Sequence, residues 1–143
     1  HFCENRAADG VVGYYCALAK RENIPYSVQI DLPECLPVDE INLCLVLSNL
    51  LENALEASRK AGAGRHMEIA AYVYAENMVL IQVINAYSGE IRRVHSVFQS
   101  SKRPGNGVGL QSVRRIAEKN GGAATFSFAD GIFTARIMLR GKD

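Results

Sequence analysis

Two asparagines four residues apart form the first pattern in the sequence that could do chemistry. Asn49 and Asn53 lie in a leucine-rich segment. At about 100° per residue of an α-helix, they fall on one narrow arc together with Glu52 and Glu56. Asn is a moderate helix former, because its side chain competes for backbone hydrogen bonds. The pattern therefore indicates either amide oxygens that face a ligand or metal ion, or a solvated polar stripe.

A glycine-rich segment, Gly105-Asn106-Gly107-Val108-Gly109-Leu110, is the second pattern. Alternate glycines let the backbone approach a ligand closely, and N–H groups at a helix N-terminus favour an anion such as phosphate. The segment lacks the Gly-Lys-Ser/Thr of a P-loop, and its spacing differs from that of the dinucleotide-binding fingerprint. A glycine-rich loop without a ligand is the alternative interpretation.

Hydrophobic periodicity predicts the elements that must position these residues. The predicted order is helix 7–23, strand 26–31, helix 39–61, strands 67–75 and 79–85, helix 109–120, and strands 123–129 and 132–139. Residues 86–108 show no sustained periodicity, which predicts a long loop of the kind that is usually functional or mobile. This order predicts an α+β fold, a two-layer sandwich with about three helices on one face of a mixed, mostly antiparallel sheet of about five strands.

Composition limits the class of protein. The 143 residues, 48% hydrophobic and 22% charged, predict one domain, and the net charge of +1 gives no indication of nucleic acid binding. No apolar run approaches the roughly 18 residues of a membrane span. The four cysteines form no CxxC pair and the three histidines no zinc spacing, so we expect reduced, packed cysteines. The chain opens at His1 without an initiator Met, so we expect a fragment of a longer protein.

The order of these motifs resembles the successive boxes of the GHKL ATPase superfamily, which comprises gyrase, Hsp90, sensor histidine kinases and MutL. The matching features are the helix with Asn49 and Asn53, the strand ending at Asn85 with Gly89 after it, Phe98 in the long loop, and Gly105 to Leu110. The chain is most similar to the catalytic ATP-binding domain of sensor histidine kinases, particularly the quorum-sensing and LytS-like branch. Residues 50–58 resemble its N box and residues 98–102 its F box. The resemblance implies the Bergerat fold, with residues 86–108 as an ATP lid.

The resemblance also implies a role for each motif. Asn53 would coordinate the Mg²⁺ that bridges the nucleotide phosphates. Asn49, the implied catalytic residue, would also bind ATP and help to position the γ-phosphoryl group. Asn85 would accept a hydrogen bond from the adenine amino group. The other implied ATP-binding residues are Gly89, Lys102, Gly105, Gly107, Val108, Gly109 and Leu110. The implied cofactors are ATP and Mg²⁺.

Two motifs depart from the family pattern. The family's Asp-x-Gly-x-Gly box reads Asn85-Ala86-Tyr87-Ser88-Gly89, so the acceptor lacks a charge and should bind adenine more weakly. Glu56 stands where many histidine kinases have a Lys, which leaves Lys102 or Arg103 to supply the positive charge.

The resemblance implies a histidine kinase of a two-component system. It would transfer the γ-phosphoryl group of ATP to a histidine on separate dimerisation helices, from which the group passes to a response regulator. No H box surrounds His1, His66 or His95, so we expect the cytoplasmic catalytic domain alone, without direct contact with a membrane or nucleic acid. Two alternatives stay open. One is a GHKL serine kinase or ATPase of the anti-sigma type. The other is a non-catalytic nucleotide-binding interaction module, which the altered box at Asn85 favours.

Overall fold

The computed structural model describes residues 1–87, 91–94, 97–100 and 104–141, with side chains described for 1–87 and 109–141. The helices are α1 (Arg6–Arg21), α2 (Glu40–Ala61) and α3 (Pro104–Lys119). The strands are β1 (Tyr26–Asp31), β2 (Met67–Tyr74), β3 (Met78–Ala86), β4 (Ile91–Val94), β5 (Val97–Ser100), β6 (Ala123–Ala129) and β7 (Ile132–Arg140).

Five strands form one mixed sheet in the order β1-β2-β3-β7-β6. β1 runs parallel to β2, and the other three pairings are antiparallel. α2 packs against β2 and β3, α3 packs against β6 and β7, and α1 packs on α2. This arrangement confirms the predicted α+β sandwich, with one helical layer on a mostly antiparallel sheet.

The core lies between the helical layer and the sheet. Alternate residues of β3 and β7 are buried, as expected for strands with one covered face. The apolar side chains predicted for the buried face of α2 are all at most 2% exposed: Leu43, Leu47, Leu50, Leu51, Ala54 and Leu55. Asp39 caps α2 by accepting a hydrogen bond from the Asn42 N–H at 2.9 Å, and Gly62, with φ of 69°, follows its last turn.

Residues 86–108 correct the sequence prediction in two respects. β4 and β5 pair as an antiparallel ribbon within the predicted loop, and α3 begins at Pro104 instead of Gly109. Each strand has four residues, too few for a detectable alternation. Proline suits the first position of a helix, because its missing N–H costs no bond there, whereas glycines are weak helix formers and obscured the start.

All four cysteines are free thiols, but only Cys3 and Cys16 are buried, so the expected packing holds for two of them. Burial raises the pKa of Cys16 to about 11. Among the helices of the described ranges, none is both long enough and apolar enough to cross a membrane.

Candidate functional site

The polar arc of α2 lies at the edge of its buried face. Asn49 and Asn53 are one turn apart and both are half-buried. Half burial is compatible with both interpretations, amide oxygens that face a ligand and a polar stripe at the edge of the packed face, so the predicted roles of both residues stay predictions. α2 packs against both β3 and α3, which brings the three elements that carry the predicted site next to one another.

Glu52, which shares the predicted arc, contacts helix α1. Its side chain is exposed and accepts a hydrogen bond at 3.2 Å from the Tyr15 hydroxyl of α1. Burial, with a smaller effect from Glu52, raises the pKa of Tyr15 to about 12. The predicted arc is therefore divided, because Glu52 links α2 to α1.

Asn85 is the one polar side chain in the buried row of β3. It is 1% exposed, and its Nδ2 donates a hydrogen bond to the Ala86 carbonyl at 3.0 Å. Its Oδ1 is buried and has no hydrogen-bond partner among the described residues. An unmade bond of this kind costs about 1–3 kcal/mol. A ligand with an N–H donor would satisfy this oxygen, and the adenine amino group is such a donor.

A shared carbonyl fixes the position of Asn85 along α2. The His66 carbonyl accepts one hydrogen bond from the Ala86 N–H at 3.2 Å and another from the buried Ser58 hydroxyl at 3.4 Å. Ser58 lies in the C-terminal part of α2. Asn85 therefore lies near the level of Ser58, and Asn53 and then Asn49 follow along the helix toward its N-terminus.

Tyr87, which replaces the first glycine of the family's box, is held against the sheet. Its ring makes an edge contact with Phe128 of β6, with 5.8 Å between ring centroids. Its N–H donates to the Gly131 carbonyl at 2.9 Å. Asn85 and Tyr87 lie on either side of Ala86, so both side chains point toward the helical layer. The sequence alone showed only that Tyr87 replaces a glycine of the family's box.

The start of α3 holds most of the remaining predicted residues. Gly105 lies in the first turn, where backbone N–H groups lack intrahelical partners and can bind an anion. Gly107 and Val108 are the fourth and fifth residues of α3, where the N–H groups donate within the helix, so their predicted phosphate contacts stay predictions. Gly109 is half-buried, and a Cβ there would meet no described atom within 4 Å. Leu110 is 3% exposed in the core, and its predicted contact with a nucleotide stays a prediction.

Gly89 and Lys102 lie outside the described residues, so their predicted roles stay predictions. In the described ranges, no group of three or more His, Cys, Asp or Glu side chains could hold a metal ion. Mg²⁺ commonly binds through one or two protein oxygens together with substrate phosphates and water. The amide oxygen of Asn53 therefore fits a magnesium ion that arrives with a nucleotide.

Comparisons with known proteins agree with this arrangement. The family model described as "GHKL domain" matches residues 38–140. Sensor protein FixL of Bradyrhizobium diazoefficiens is 30% identical over 98% of this chain and 28% of FixL. Sensor histidine kinase HprS of Escherichia coli is 26% identical over 94% of this chain and 30% of HprS. The chain thus spans less than a third of the length of either curated relative.

Two solved structures share the fold over almost their whole length. The catalytic domain of histidine kinase ThkA has a TM-score of 0.73 at 20% identity, with 97% of this chain and 95% of that chain covered. The mycobacterial sensor histidine kinase MprB has a TM-score of 0.69 at 22% identity, with 94% and 96% covered. The quorum-sensing and LytS-like branch stays a prediction. Because the family model matches well over half of the sequence, the chain belongs to the GHKL domain family.

Proposed function

We propose that this chain is the ATP-binding catalytic domain of a sensor histidine kinase. FixL and HprS, two relatives that match it over nearly its whole length, are a sensor protein and a sensor histidine kinase. The observation that carries the proposal is the buried Oδ1 of Asn85, near the end of β3, which has no hydrogen-bond partner among the described residues. In the proposed complex this oxygen accepts a hydrogen bond from the adenine amino group, and the Tyr87 ring forms part of the adenine pocket.

The nucleotide phosphates lie along α2 in this proposal. Asn53 supplies an amide oxygen to a nucleotide-bound Mg²⁺, and Asn49, one turn closer to the N-terminus, orients the γ-phosphoryl group. N–H groups at the start of α3 bind phosphate oxygens. Lys102 or Arg103 supplies positive charge in place of the lysine that the family often carries at the position of Glu56. When bound, Mg²⁺ neutralises charge on the phosphates.

The proposed reaction moves one phosphoryl group. The bond between the γ-phosphorus and the β–γ bridging oxygen breaks, and ADP leaves with the electron pair. A histidine ring nitrogen forms the new bond to phosphorus, and the ring loses its N–H proton to solvent. The protein contributes position and charge stabilisation, as in phosphoryl transfer generally.

The proposed partners are the dimerisation helices that carry the acceptor histidine and a downstream response regulator, and the proposed location is the cytoplasm. Histidine kinase ThkA has been solved in complex with response regulator protein TrrA. That kinase shares this fold with a TM-score of 0.68 at 19% identity, over 99% of this chain and 41% of that chain. A non-catalytic nucleotide-binding module is the second candidate, favoured by the uncharged Asn85 and by Tyr87 in the altered box.

The stability of the phosphorylated product separates these functions. The full-length protein that contains this chain is incubated with Mg²⁺ and γ-labelled ATP, and the label is tested for acid and alkali stability. A phosphohistidine is acid-labile and alkali-stable, and this result is expected. Acid-stable label would indicate the serine kinase, and released phosphate without labelled protein would indicate an ATPase. Nucleotide binding in calorimetry without either product would indicate the binding module.

A further inference from the structure

The side of the five-stranded sheet that is turned away from the helices, which we call the outer face, is apolar at its centre. A solvated face of an antiparallel sheet normally carries polar residues that alternate with the buried ones. β3 departs from this pattern, because Met78, Leu80 and Ile84 alternate with its buried row and point outward. Tyr72 and Tyr74 of β2 also point outward and are 46% and 56% exposed. A contiguous apolar patch of this kind indicates an interaction surface.

A hollow of about 310 Å³ lies at the centre of the outer face. It extends from β2 to β6, and Leu80, Met138 and Arg136 are among the residues that line it. The Arg136 Nε donates a hydrogen bond to the Gln82 Oε1 at 2.6 Å, and the guanidinium forms no salt bridge with a described residue. The end of the guanidinium is therefore available to a carboxylate. The hollow thus offers both apolar contacts and a positive charge to a partner.

The charges of the outer face lie on opposite sides of β3. In the described ranges, the face carries two basic residues on β7 and two acidic residues on β1 and β2: Arg136, Arg140, Asp31 and Glu68. The turn between β2 and β3 adds Glu76, and the turn between β6 and β7 adds Asp130 at the opposite end of the sheet. His66 Nε2 lies 3.5 Å from a Glu68 carboxylate oxygen. Apart from Asp130, the β7 side is basic and the β1–β2 side is acidic.

A second copy related by a two-fold axis along β3 matches the shape of the outer face. Because β2 and β7 flank β3, this axis sets β7 of one copy opposite β2 of the other. Arg136 shares a level of the sheet with Ala70, so it meets the small Ala70 of the second copy. Tyr72 and Met138 share the next level, so the Tyr72 ring of the second copy lies over Met138 and fills the hollow. Large side chains thus face small ones or open space.

The same axis also matches the charges. Glu68 of the second copy lies one level away from Arg136, about 7 Å along the strand and within reach of the guanidinium. Arg140 shares a level with Tyr74, so it meets the Tyr74 ring of the second copy, and Glu76 follows two residues later. A two-fold axis across the strands would instead set β7 against β7 and bring the arginines together, which is unfavourable.

We propose that the outer face binds the outer face of a second copy of this chain, in a dimer with its two-fold axis along β3. In such an interface each contact occurs twice, as the facing levels require. The inference is independent of the proposed catalytic activity. The helical layer and Asn85 lie on the other side of the sheet, so both copies keep an accessible nucleotide site. We expect a dissociation constant in the micromolar range, because the patch is a single sheet face with few anchors.

The oligomeric state of the 143-residue chain, whose described residues form a core of their own, tests the proposal. Sedimentation equilibrium should show a reversible dimer, and Tyr72→Ala should raise its dissociation constant roughly thirtyfold or more, as for loss of an aromatic anchor. Thermal unfolding checks that the variant folds. As a control, Ile41→Ala with Leu45→Ala removes apolar side chains that are 70% and 46% exposed on α2, and the dimer should not change.

Charge reversal tests the two-fold axis itself. Arg136→Glu alone, or Glu68→Arg alone, places two like-charged contacts in each dimer, so each variant should associate at least about tenfold more weakly. A mixture of the two variants should form a heterodimer of nearly native affinity, because both contacts are then attractive.

Four results would each overturn the proposal. The first two are a wild-type chain that stays monomeric at about 1 mM and a Tyr72→Ala variant that associates like the wild type. The third is loss of the dimer in the Ile41/Leu45 variant, which would place the interface on the helical layer. The fourth is a mixture of the two charge variants that stays monomeric, which would refute the two-fold axis along β3.

Discussion

Replacing Asn85 with leucine should make the protein more stable and worse at binding ATP. The native side chain is 1% exposed, and its Oδ1 makes no hydrogen bond within the described part of the chain. Removing a buried, unsatisfied acceptor should gain about 2 kcal/mol. Losing the 3.0 Å bond from Nδ2 to the Ala86 carbonyl should cost about 1 kcal/mol. The free energy of unfolding should therefore rise by roughly 1 kcal/mol, which corresponds to about 3 °C in Tm for a domain of this size.

ATP affinity should move in the opposite direction. A hydrogen bond to the adenine amino group contributes about 0.5–1.5 kcal/mol, so its loss should weaken binding roughly two- to twelvefold. Urea unfolding of the protein without nucleotide and calorimetric titration with Mg²⁺-ATP measure the two effects. A destabilised Asn85→Leu protein would show that Oδ1 is satisfied in the native state. Unchanged ATP affinity would show that it is not a ligand acceptor.

Asn5 provides a matched control, because it is an asparagine of the same 1% exposure whose bonds are all made. Its Oδ1 accepts from the Ala8 N–H at 2.9 Å, and its Nδ2 donates to the Glu34 carbonyl at 3.0 Å and to a Glu40 carboxylate oxygen at 2.9 Å. Asn5→Leu should destabilise the protein by roughly 3 kcal/mol, from the lost N-cap and the charged bond. A rise in the free energy of unfolding for Asn85→Leu and a fall for Asn5→Leu would distinguish an asparagine with an unsatisfied oxygen from one with a structural role.

Further predictions concern the metal, the lid, adenine recognition and alkaline pH. Asn53→Ala should abolish Mg²⁺-dependent nucleotide binding in calorimetry without unfolding the protein, because a hard cation loses an oxygen ligand. Asn42 is another half-buried asparagine of α2, and the control variant Asn42→Ala should bind with native affinity. Hydrogen exchange across residues 86–108 should slow when Mg²⁺ and a non-hydrolysable ATP analogue bind, because phosphate contacts offset the entropy of ordering glycines. Asn85→Asp should tighten ATP binding about fivefold in calorimetry, since a charged acceptor adds roughly 1 kcal/mol, while its buried carboxylate lowers the stability of the free protein. Burial raises the pKa of Tyr15 to about 12, so the unfolded chain loses this hydroxyl proton at a lower pH than the folded chain. The free energy of unfolding, measured with urea, should therefore fall between about pH 10 and pH 12, and it should fall less steeply in Tyr15→Phe.

Each of these predictions has a result that would contradict it. Retained Mg²⁺-dependent affinity in Asn53→Ala would move the metal ligand elsewhere, and lost affinity in Asn42→Ala would indicate a general effect on α2. Exchange in residues 86–108 that is already slow without nucleotide and does not change on binding would refute the lid. Equal or weaker ATP binding by Asn85→Asp would mean that the pocket recognises adenine in another way. Equal slopes for Tyr15→Phe and the wild type would show that another group causes the alkaline loss.

The parts of the fold with strong local signals were predictable from sequence. Asp39 and Gly62 marked the ends of α2 because a cap and a left-handed glycine are local requirements. β3 and β7 were predictable because alternate burial leaves a clear pattern. α3 was placed five residues too late, because Gly105 and Gly107 resemble a loop even inside a helix.

The site was less completely predictable, because burial and pairing depend on tertiary contacts. The spacing of Asn49 and Asn53 showed that they share an arc, but it could not show that Glu52 would bond to Tyr15 on another helix. Asn85 was identified by its place in a motif. The burial of its Oδ1 without a partner among the described residues depends on the tertiary packing around β3, which no local pattern reveals.

The pairing of β3 with β7 affects how freely the intervening chain can change in length. Gln82 and Arg136 face each other in this pair although 54 residues separate them, so the pairing closes one large loop that contains β4, β5, α3 and β6. Closing such a loop costs free energy that grows only with the logarithm of its length, about 0.6 kcal/mol for each doubling. Inserting ten or so residues between β3 and α3 would therefore hardly affect stability. Folding of the sheet should be slow, however, because its central pair forms only after distant segments meet.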